Sequence, residues 1–350
     1  VAAPIIGRLS DRYGRRPMLI FSIAGTVLSF ALLGLAKTLP MLFLSRILDG
    51  LLGGNIALAR AYITDVTDES NRSRGLGMIG AAFGLGFIIG PAMGGSLSRF
   101  GFNVPAFVAA GLSLINLIAV ILWLPESLSA ERRAGMQDQS RRGVGLRTMV
   151  EALRRPCAGP LLHVILFYSL AFTLFQSNFA LFTKERLGLN AQSTSFILTY
   201  VGVVSVVVQG FAVGKLTERL SERTLIVVGI IGLGLSLIAW SFVPNVPLLL
   251  VVLAPMALFG GMLGVVLTSQ LTKSVYRDEV GGTLGLSASM QTLAQIVSPG
   301  VGGLLLDTLG PWSAGMLAGI IMIWTLSVAR RRVLTISETD MVSCQAAPSF

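Results

Sequence analysis

Apolar residues run along most of this chain in stretches of about 20, separated by short connections that hold charged residues, glycine and proline. A helix rises about 1.5 Å per residue, so about 20 residues are enough to cross the hydrocarbon of a bilayer. The pattern therefore predicts ten membrane-spanning helices. Their predicted positions are 17–37, 41–63, 75–98, 104–124, 158–182, 193–213, 224–243, 246–271, 281–306 and 312–329.

Two polar patterns occur twice along the chain. The charged segment Gly7–Arg16 (GRLSDRYGRR) returns at Gly214–Arg223 (GKLTERLSER), 207 positions later and again between two apolar runs. The segment Gly90–Gly95 (GPAMGG) returns at Ser298–Gly303 (SPGVGG), 208 positions later. Two matches at nearly the same shift indicate an internally duplicated chain.

The duplication predicts an all-α polytopic membrane protein built from two six-helix halves. Two helices precede the second copy of the charged segment, whereas only the six residues Val1–Ile6 precede the first copy. By the same shift, the first half lacks about fifty residues, which amount to the first helix and most of the second. We therefore expect this chain to be the remainder of a twelve-helix protein. The alternative is a natural ten-helix protein from which a signal peptide was removed.

The predicted domains follow from this division. Residues 1–124 are an incomplete N-terminal helical half, from the end of the second helix to the sixth, and residues 158–330 are a C-terminal six-helix half. Residues 125–157, rich in Glu, Arg, Gln and Ser, are predicted to form a flexible cytoplasmic linker. Residues 331–350 are predicted to form a cytoplasmic tail.

Composition agrees with a location in the lipid bilayer. Hydrophobic residues make up 53% of the chain and charged residues 13%, against a usual soluble share of roughly a quarter. The net charge of +10 is compatible with nucleic-acid binding, but the arginines lie in alternate connections between apolar runs, which positive-inside topology explains better. We therefore predict a multi-pass membrane protein with a cytoplasmic C-terminus and no nucleic-acid partner.

The sequence lacks the residues that the common enzymatic functions require. Gly214 and Lys215 are not preceded by the glycine of a phosphate-binding loop, and the single histidine, His163, allows neither a metal cluster nor a Ser/His/Asp set. The two cysteines, Cys157 and Cys344, lie far apart and indicate no disulfide framework. We therefore predict no enzyme activity, no cofactor and no metal. Because no ATP-binding module is found, any transport by this protein would be driven by an ion gradient, most simply of protons.

Three motifs carry a family resemblance. The charged segment resembles the loop motif between the second and third helices of the major facilitator superfamily, and Arg46–Gly50 (RILDG) resembles its fourth-helix R-x-x-x-G pattern. Gly86–Gly95 (GFIIGPAMGG) resembles the fifth-helix pattern of its drug/proton antiporters. With SRILDGLLGG, AYITDVTDES and LPES at Leu124–Ser127, residues 7–127 look most like the tetracycline-resistance efflux branch; the superfamily likeness covers essentially the whole chain.

The charged segment is predicted to act as a conformational latch. Its glycines permit a close approach and a tight turn, and its aspartate can accept hydrogen bonds from a helix N-terminus or an arginine. A contact that breaks and re-forms during transport would latch one state; the alternative is that the arginines are only cytoplasmic anchors. The second copy has Leu-Ser in place of Tyr-Gly, which predicts a weaker latch. The predicted latch residues are Gly7, Asp11, Arg12, Gly14, Arg15, Glu218 and Arg219.

Gly86, Gly90 and Gly94 form a stripe at four-residue spacing within one predicted span. Such a stripe lets another helix approach closely, and Pro91 within it kinks the helix and frees a backbone carbonyl. Ordinary small-residue packing explains these glycines and Gly95, but a bend at a close-packed helix pair is also what a rocking interface needs. By resemblance, the motif implies export.

Arg46 and Asp49 lie inside the fourth-helix span, three residues apart on one face. A charge in hydrocarbon costs several kcal/mol unless it is paired or hydrated, so this pair is predicted to face an interior cavity and to serve proton coupling. The resemblance implies that Arg46 assists proton transfer, while Asp49 is either a proton carrier or only the partner of Arg46. In the family a first-helix acid often carries the proton, and that helix is expected to be missing here. Arg60 and Asp65 are expected to be anchors at the membrane interface.

Substrate contacts are predicted among polar residues within the spans, because a drug cavity is mostly apolar with a few polar groups. Hydrogen bonds between helices explain any one of these residues equally well. The candidates are Asn55, Gln176, Asn178, Gln209, Gln291 and Gln295.

Taken together, the motifs predict a secondary active transporter that exports small amphipathic, tetracycline-like drugs in exchange for protons by alternating access. We expect a monomer in the bacterial inner membrane. An importer or uniporter of sugars or organic acids is an alternative, although the Gly-Pro-Gly-Gly stripe counts against import. A non-transporting scaffold or sensor of the same fold is a second alternative, which the charges of Arg46 and Asp49 inside a span oppose.

Overall fold

The structure, a computed structural model, describes residues 2–128, 158–208, 210, 213–275 and 280–333. The chain divides into two compact units, Val1–Gly143 and Val144–Phe350. Throughout the described ranges the regular structure is helical and contains no strand. The predicted all-α class is therefore confirmed.

Nine helical stretches in the described residues are long and apolar enough to cross a membrane. A further apolar helix, Ala191–Val207, is shorter and corresponds to the predicted span at 193–213. These stretches correspond one for one to the predicted spans. They confirm a polytopic membrane protein.

Six helices form the described part of the first unit, and two of them begin with a proline in the first turn. Proline is tolerated there because the first N–H groups of a helix have no intrahelical partner. The helices are α1 (Ala2–Tyr13), α2 (Arg15–Leu35), α3 (Leu39–Leu52), α4 (Asn55–Val66), α5 (Glu69–Ser98) and α6 (Val104–Trp123).

Helix α2 is the element against which α3 and α6 pack. Glycines allow the close approach: a Cβ at Gly25 would lie 2.5 Å from the Cβ of Leu52, and one at Gly34 would lie 2.8 Å from the ring of Phe107. Any side chain at these positions would push the helices apart. At its other end α2 contributes to a small apolar core, which consists of Ile6, Met18, Leu19 and Leu58.

The charged segment is helical up to Tyr13, and the chain turns at Gly14. Gly14 has a φ of 106°, a left-handed conformation that is strained for residues with a side chain. The predicted tight turn is therefore found at Gly14. Gly7 lies inside α1 with nothing described within 4 Å of a Cβ built on it, so the close approach expected there is absent from the described residues.

The predicted span at 41–63 is two helices, because α3 ends at Leu52 and α4 begins at Asn55. The two residues between these helices do not have helical backbone angles: Gly53 has φ −74° and ψ 99°, and Gly54 has φ −133° and ψ 5°. Glycine costs a helix about 1 kcal/mol relative to alanine, so two in succession weaken it here. The apolar pattern did not predict this break, since it continues across both glycines.

The second unit begins its described part with a long helix and ends it with a π-helical turn. Three of its helices are capped by side-chain oxygens of Asn190, Ser221 and Asn245, which accept hydrogen bonds from N–H groups in the first turn. The elements are α7 (Ala158–Leu187), α8 (Ala191–Val207), α9 (Val213–Arg219), α10 (Glu222–Ser241), α11 (Val246–Lys273), α12 (Val280–Leu309), α13 (Ser313–Val328) and the turn Ala329–Val333.

Aromatic rings fill the core of the second unit. Trp240 of α10 is fully buried, with its ring centroid 5.0 Å from that of Phe175 and 4.6 Å from that of Phe182, both on α7. Phe179 adds an edge-to-face pair with Phe175 at 5.4 Å. Helix α13 reaches Trp240 because Gly315 has no side chain.

Replacing Gly14 by alanine would place a Cβ in the left-handed region. We expect Gly14→Ala to lower the free energy of unfolding by about 1–2 kcal/mol. The midpoint of thermal unfolding of the purified protein in detergent measures this change. The matched control is Gly111→Ala on α6, where no described atom lies within 4 Å of a built Cβ and the midpoint should not fall. An unchanged midpoint for Gly14→Ala would show that the turn tolerates a side chain.

Candidate functional site

Arg15, the first residue of α2, joins the charged segment to the end of α4. Its Nη1 lies 2.6 Å from Oδ1 of Asp11, and its Nε lies 2.9 Å from Oδ2 of Asp65. The same Nη1 donates a hydrogen bond to the hydroxyl of Ser10. Only 7% of the Arg15 side chain is exposed, so water screens these charges weakly.

Glu126, which follows α6, caps the N-terminus of α2. Its Oε1 accepts a hydrogen bond from the backbone N–H of Arg15 at 2.9 Å, and its Oε2 accepts one from that of Arg16 at 3.2 Å. A carboxylate suits this place because the first N–H groups of a helix lack partners and carry positive partial charge. The neighbouring Ser127 hydroxyl donates to Oδ2 of Asp65 at 3.2 Å. The LPES sequence thus closes the network around Arg15.

Two of the predicted latch residues, Asp11 and Arg15, are brought together by the structure. Asp65, which was expected to be an anchor at the membrane interface, is the second partner of Arg15. Arg12 points elsewhere: it is exposed, and its guanidinium lies over the ring of Tyr13 at 5.4 Å from the centroid. The fourfold repetition of arginine in the segment did not reveal which arginine would be buried.

The second unit has an ion pair between the corresponding helix ends. Glu222, the first residue of α10, lies 2.9 Å through its Oε1 from Nζ of Lys273, the last residue of α11. Its carboxylate also accepts hydrogen bonds from the hydroxyl of Ser269 at 2.9 Å and from the amide of Gln270. The side chains of Glu222 and Lys273 are 23% and 61% exposed, so this pair is more solvated than the pairs of Arg15.

The two ion pairs lie at positions that the repeat relates, but the acid and the base are exchanged between them. A shift of 207 positions moves Arg15 onto Glu222, and moves Val66, which adjoins Asp65, onto Lys273. The base therefore lies on the earlier helix in the first unit and on the later helix in the second. Either arrangement ties the helix ends, because attraction requires only opposite signs. The two copies of the charged segment were matched by residue type, so the match did not reveal that the acid and the base are exchanged.

Glu218 and Arg219 were predicted to be the second copy of the latch. Both are exposed in the last turn of α9. The ion pair found at this end of the second unit belongs instead to Glu222 and Lys273.

Arg46 and Asp49 lie on α3, inside the apolar span Leu39–Val66. The Nη1 of Arg46 is 3.7 Å from Oδ2 of Asp49, and the two side chains are 39% and 33% exposed. The guanidinium also lies over the ring of Phe30 on α2, 5.3 Å from the centroid. Its Nη2 is buried and makes no hydrogen bond within the described residues. The predicted pair is formed, but loosely.

The glycine stripe of α5 is open. At Gly86, Gly90 and Gly94, no described atom lies within 4 Å of a built Cβ. The close approach of another helix predicted for these glycines is therefore absent from the described residues. Helix α5 continues through Pro91, and Gly95 is buried.

Two of the predicted substrate residues contact neighbouring helices. Asn55 donates from Nδ2 to Oγ1 of Thr26 on α2 at 3.0 Å, and its Oδ1 is buried without a hydrogen bond from the described residues. Asn178 is 3% exposed, donates to the carbonyl of Leu174 and lies where a Cβ at Gly302 of α12 would be. Asn178 therefore packs between helices, which corrects its placement in a cavity.

Three other predicted substrate residues, Gln176, Gln291 and Gln295, are exposed on the second unit. Gln291 and Gln295 lie about one helical turn apart on α12 and share a face. Gln209 lies outside the described residues.

A cavity of about 350 Å³ in the second unit contains none of the predicted substrate residues. It is lined by His163, Trp324, Ser327, Val328 and Arg331. Within the part of the chain that the structure describes, no group of His, Cys, Asp and Glu is arranged to hold a metal ion.

The apolar helices define a multi-pass membrane protein, and paired charges inside one span are typical of membrane transporters. The family model described as Major Facilitator Superfamily matches residues 1–212 and 161–339. The chain therefore belongs to the Major Facilitator Superfamily.

Curated relatives include bacterial drug-resistance proteins. The chain is 32% identical over 301 residues to "Tetracycline resistance protein, class H" of Pasteurella multocida, which covers 85% of this chain and 74% of the relative. It is 29% identical over 302 residues to the class B protein of Escherichia coli, with the same two shares. "Multidrug resistance protein 2" of Bacillus subtilis is 29% identical over 328 residues, or 92% of this chain and 80% of the relative. The predicted resemblance to the tetracycline-resistance branch is confirmed.

Solved structures of transporters share the fold. The human organic anion transporter MFSD10 (TETRAN) matches with a TM-score of 0.67 and 21% identity, over 93% of this chain and 80% of that one. A peptide transporter POT matches with a TM-score of 0.73 and 15% identity, over 94% and 83%. These similarities confirm the predicted major facilitator-like fold.

Arg15→Met keeps the length of the side chain and leaves the carboxylates of Asp11 and Asp65 without their shared cation. We expect it to lower the free energy of unfolding by about 3 kcal/mol, because a buried charge loses its partner. Lys273→Met should cost less than about 1 kcal/mol, since that lysine is 61% exposed. Thermal unfolding midpoints in detergent measure both changes. Equal losses would mean that burial does not distinguish the two pairs.

Proposed function

We propose that this protein is a secondary active transporter that exports small amphipathic, tetracycline-like compounds in exchange for protons by alternating access. Membership of the superfamily supports transport, and relatives named for tetracycline and multidrug resistance support export of such compounds. We propose that the protein is a monomer in the bacterial inner membrane. The arginines at 330–332 support a cytoplasmic C-terminal tail.

The ion pair of Arg46 and Asp49 in an apolar span is the observation that carries this function. At 3.7 Å the pair is long, and the Asp49 side chain is one-third exposed, which leaves room for a proton at its carboxylate. An ionised Asp49 attracts Arg46, whereas a protonated Asp49 does not. Proton uptake would therefore release Arg46 toward the ring of Phe30, which already lies 5.3 Å away. In this mechanism Asp49 holds the proton and Arg46 responds to it.

The network around Arg15 supports a conformational latch. It ties α1, α2, α4 and the segment after α6 through Asp11, Asp65 and Glu126. Movement of α1, α2 or α4 would separate the buried Arg15 from a carboxylate, which costs more than breaking an exposed pair. Movement of the segment after α6 would break the hydrogen bonds of Glu126 to the N-terminus of α2. The repeat-related pair of the second unit is more solvated and is the weaker latch.

Polar side chains on exposed helix faces support a path for an amphipathic substrate. Gln176 of α7 and both Gln291 and Gln295 of α12 present amide groups beside apolar surface. The open glycine stripe of α5 offers a surface that a second helix can approach closely in another conformation.

Transport is tested in inside-out membrane vesicles that contain the protein and are energised to an acidic lumen. A pH-sensitive dye should report a rise of the luminal pH when tetracycline is added, because protons leave as the drug enters. Arg46→Ala should abolish this response, and Asp49→Asn should reduce it severalfold. Arg99→Ala is the matched control: Arg99 also lies over an aromatic ring, that of Phe100 at 4.7 Å, but it is exposed at the end of α5.

Other outcomes of this assay separate the alternatives. Proton release by other amphipathic cations but not by tetracycline would keep antiport and contradict the tetracycline-like substrate. No release by any compound of the panel would favour the importer or the scaffold. Full coupling in Asp49→Asn would make Asp49 only the partner of Arg46.

A further inference from the structure

The break between α3 and α4 lies inside the apolar span Leu39–Val66. A broken helix frees backbone N–H and C=O groups, and the hydrocarbon of a bilayer offers no water to bind them. Each unpaired group would cost several kcal/mol. A break at this position therefore persists only where neighbouring groups satisfy it.

One buried side chain of α2 satisfies the break on both sides. The hydroxyl of Ser22 donates a hydrogen bond to the carbonyl of Leu52 at 2.6 Å and accepts one from the backbone N–H of Gly54 at 2.9 Å. Leu52 is the last residue of α3, and Ser22 is fully buried. A second contact from α2, between Thr26 and Asn55 at 3.0 Å, holds the first residue of α4. Helix α2 thus binds both ends of the broken helix.

Close packing fixes the place of the break. A Cβ at Gly54 would lie 2.7 Å from the side chain of Ile6, and a Cβ at Gly53 would press on the carbonyl oxygen of Asp49. Helix α2 comes close to Leu52 because Gly25 has no side chain. These contacts bring the Ser22 hydroxyl within reach of the freed backbone.

The second unit provides an internal comparison. The shift of 207 positions moves Gly53 and Gly54 onto Gly260 and Gly261, yet α11 runs unbroken through both. The same shift moves Ser22 onto Gly229, where a built Cβ would lie 3.2 Å from Met262. Two glycines in succession are therefore not sufficient to break the helix. The helix is broken in the unit that has Ser22, and it is unbroken in the unit that has Gly229 at the corresponding position.

Ser22 also differs from an ordinary serine in a helix. Buried serines commonly return their hydroxyl to their own helix, as Ser29 does, also on α2, with a hydrogen bond to the carbonyl of Gly25 at 2.8 Å. The hydroxyl of Ser22 instead reaches across to Leu52 and Gly54.

We infer that Ser22 is a positioning residue: it holds a hinge at Gly53 and Gly54, and thereby sets where Arg46 and Asp49 lie. Asp49 belongs to the last turn of α3, and its carbonyl accepts the N–H of Gly53 at 2.7 Å. A change of angle at the hinge moves this turn, and the charged pair with it, relative to α2. The effect on proton coupling rests on the proposed function, whereas the hinge does not.

The hinge is measured by the distance between two spin labels. Leu39 and Val66, exposed at the outer ends of α3 and α4, are replaced by labelled cysteines after Cys157 and Cys344 are changed to serine. The labels lie about 40 Å apart by helix length, within the range of pulsed dipolar spectroscopy. We expect Ser22→Ala to broaden the distance distribution, because the freed backbone groups lose their common partner.

Transport by the same variants is measured in the vesicle assay. Ser22→Ala should lower kcat roughly tenfold with little change in KM, because Arg46 and Asp49 are then less often in the position that couples proton and substrate. Ser29→Ala, the matched control, should change neither the distance distribution nor transport. A merely structural serine would lower the amount of folded protein without changing kcat per folded molecule.

Each result decides a separate part of the inference. A distance distribution unchanged by Ser22→Ala, or broadened equally by Ser29→Ala, would overturn the hinge. A broadened distribution with unchanged kcat would overturn the positioning of Arg46 and Asp49. If the unmodified protein released no protons with any compound, the proposed function would fail, while the distance measurement would still decide the hinge.

Discussion

Hydrocarbon contains no water, so the backbone groups of a span must find their partners inside the protein, and the broken helix of the first unit depends on this constraint. Helix α2 supplies the partners at the break. Ser22 binds the backbone that the helix break frees, and Thr26 holds Asn55. At its N-terminus, Arg15 binds two carboxylates, and Glu126 binds the first N–H groups. These contacts between elements of the unit therefore share one helix.

Duplication preserved the helices of the two halves more strictly than their polar contacts. Arg15 corresponds to Glu222, and the ion pair survives with its charges reversed. Ser22 corresponds to Gly229, and the helix break does not survive. The difference has a physical reason: attraction between charges is kept when both signs change, whereas a hydroxyl that binds freed backbone groups has no substitute in glycine.

Arg15 and Arg46 of the first unit are held to very different degrees. Arg15 is 7% exposed and lies within 3 Å of two carboxylates, so its contacts separate only at a high cost. Arg46 is 39% exposed and lies 3.7 Å from one carboxylate, with a buried Nη2 that makes no hydrogen bond within the described residues. A tightly held charge suits a contact that stabilises one conformation. A loosely held charge suits the proposed site, where the charge of Asp49 changes during each cycle.

Much of the fold and part of the site could be predicted from the sequence. The apolar runs determined the spans, because a bilayer imposes a length and a composition on each of them. The repeat at a fixed shift determined the two halves, and the motifs determined the family. Arg46 and Asp49 could be paired from the sequence alone, since residues three apart on a helix are neighbours.

Contacts between distant residues were decided only by the tertiary structure. Asp65 lies 50 positions from Arg15 and Glu126 lies 111 positions from it, so no local pattern identified either as a partner. The break at Gly53 and Gly54 is bound by a hydroxyl from another helix, and the unbroken helix of the second unit has glycine at the position that corresponds to that serine. Local spacing determines which side chains share a helix face. Which faces meet, and which polar groups are thereby satisfied, depends on how the helices pack.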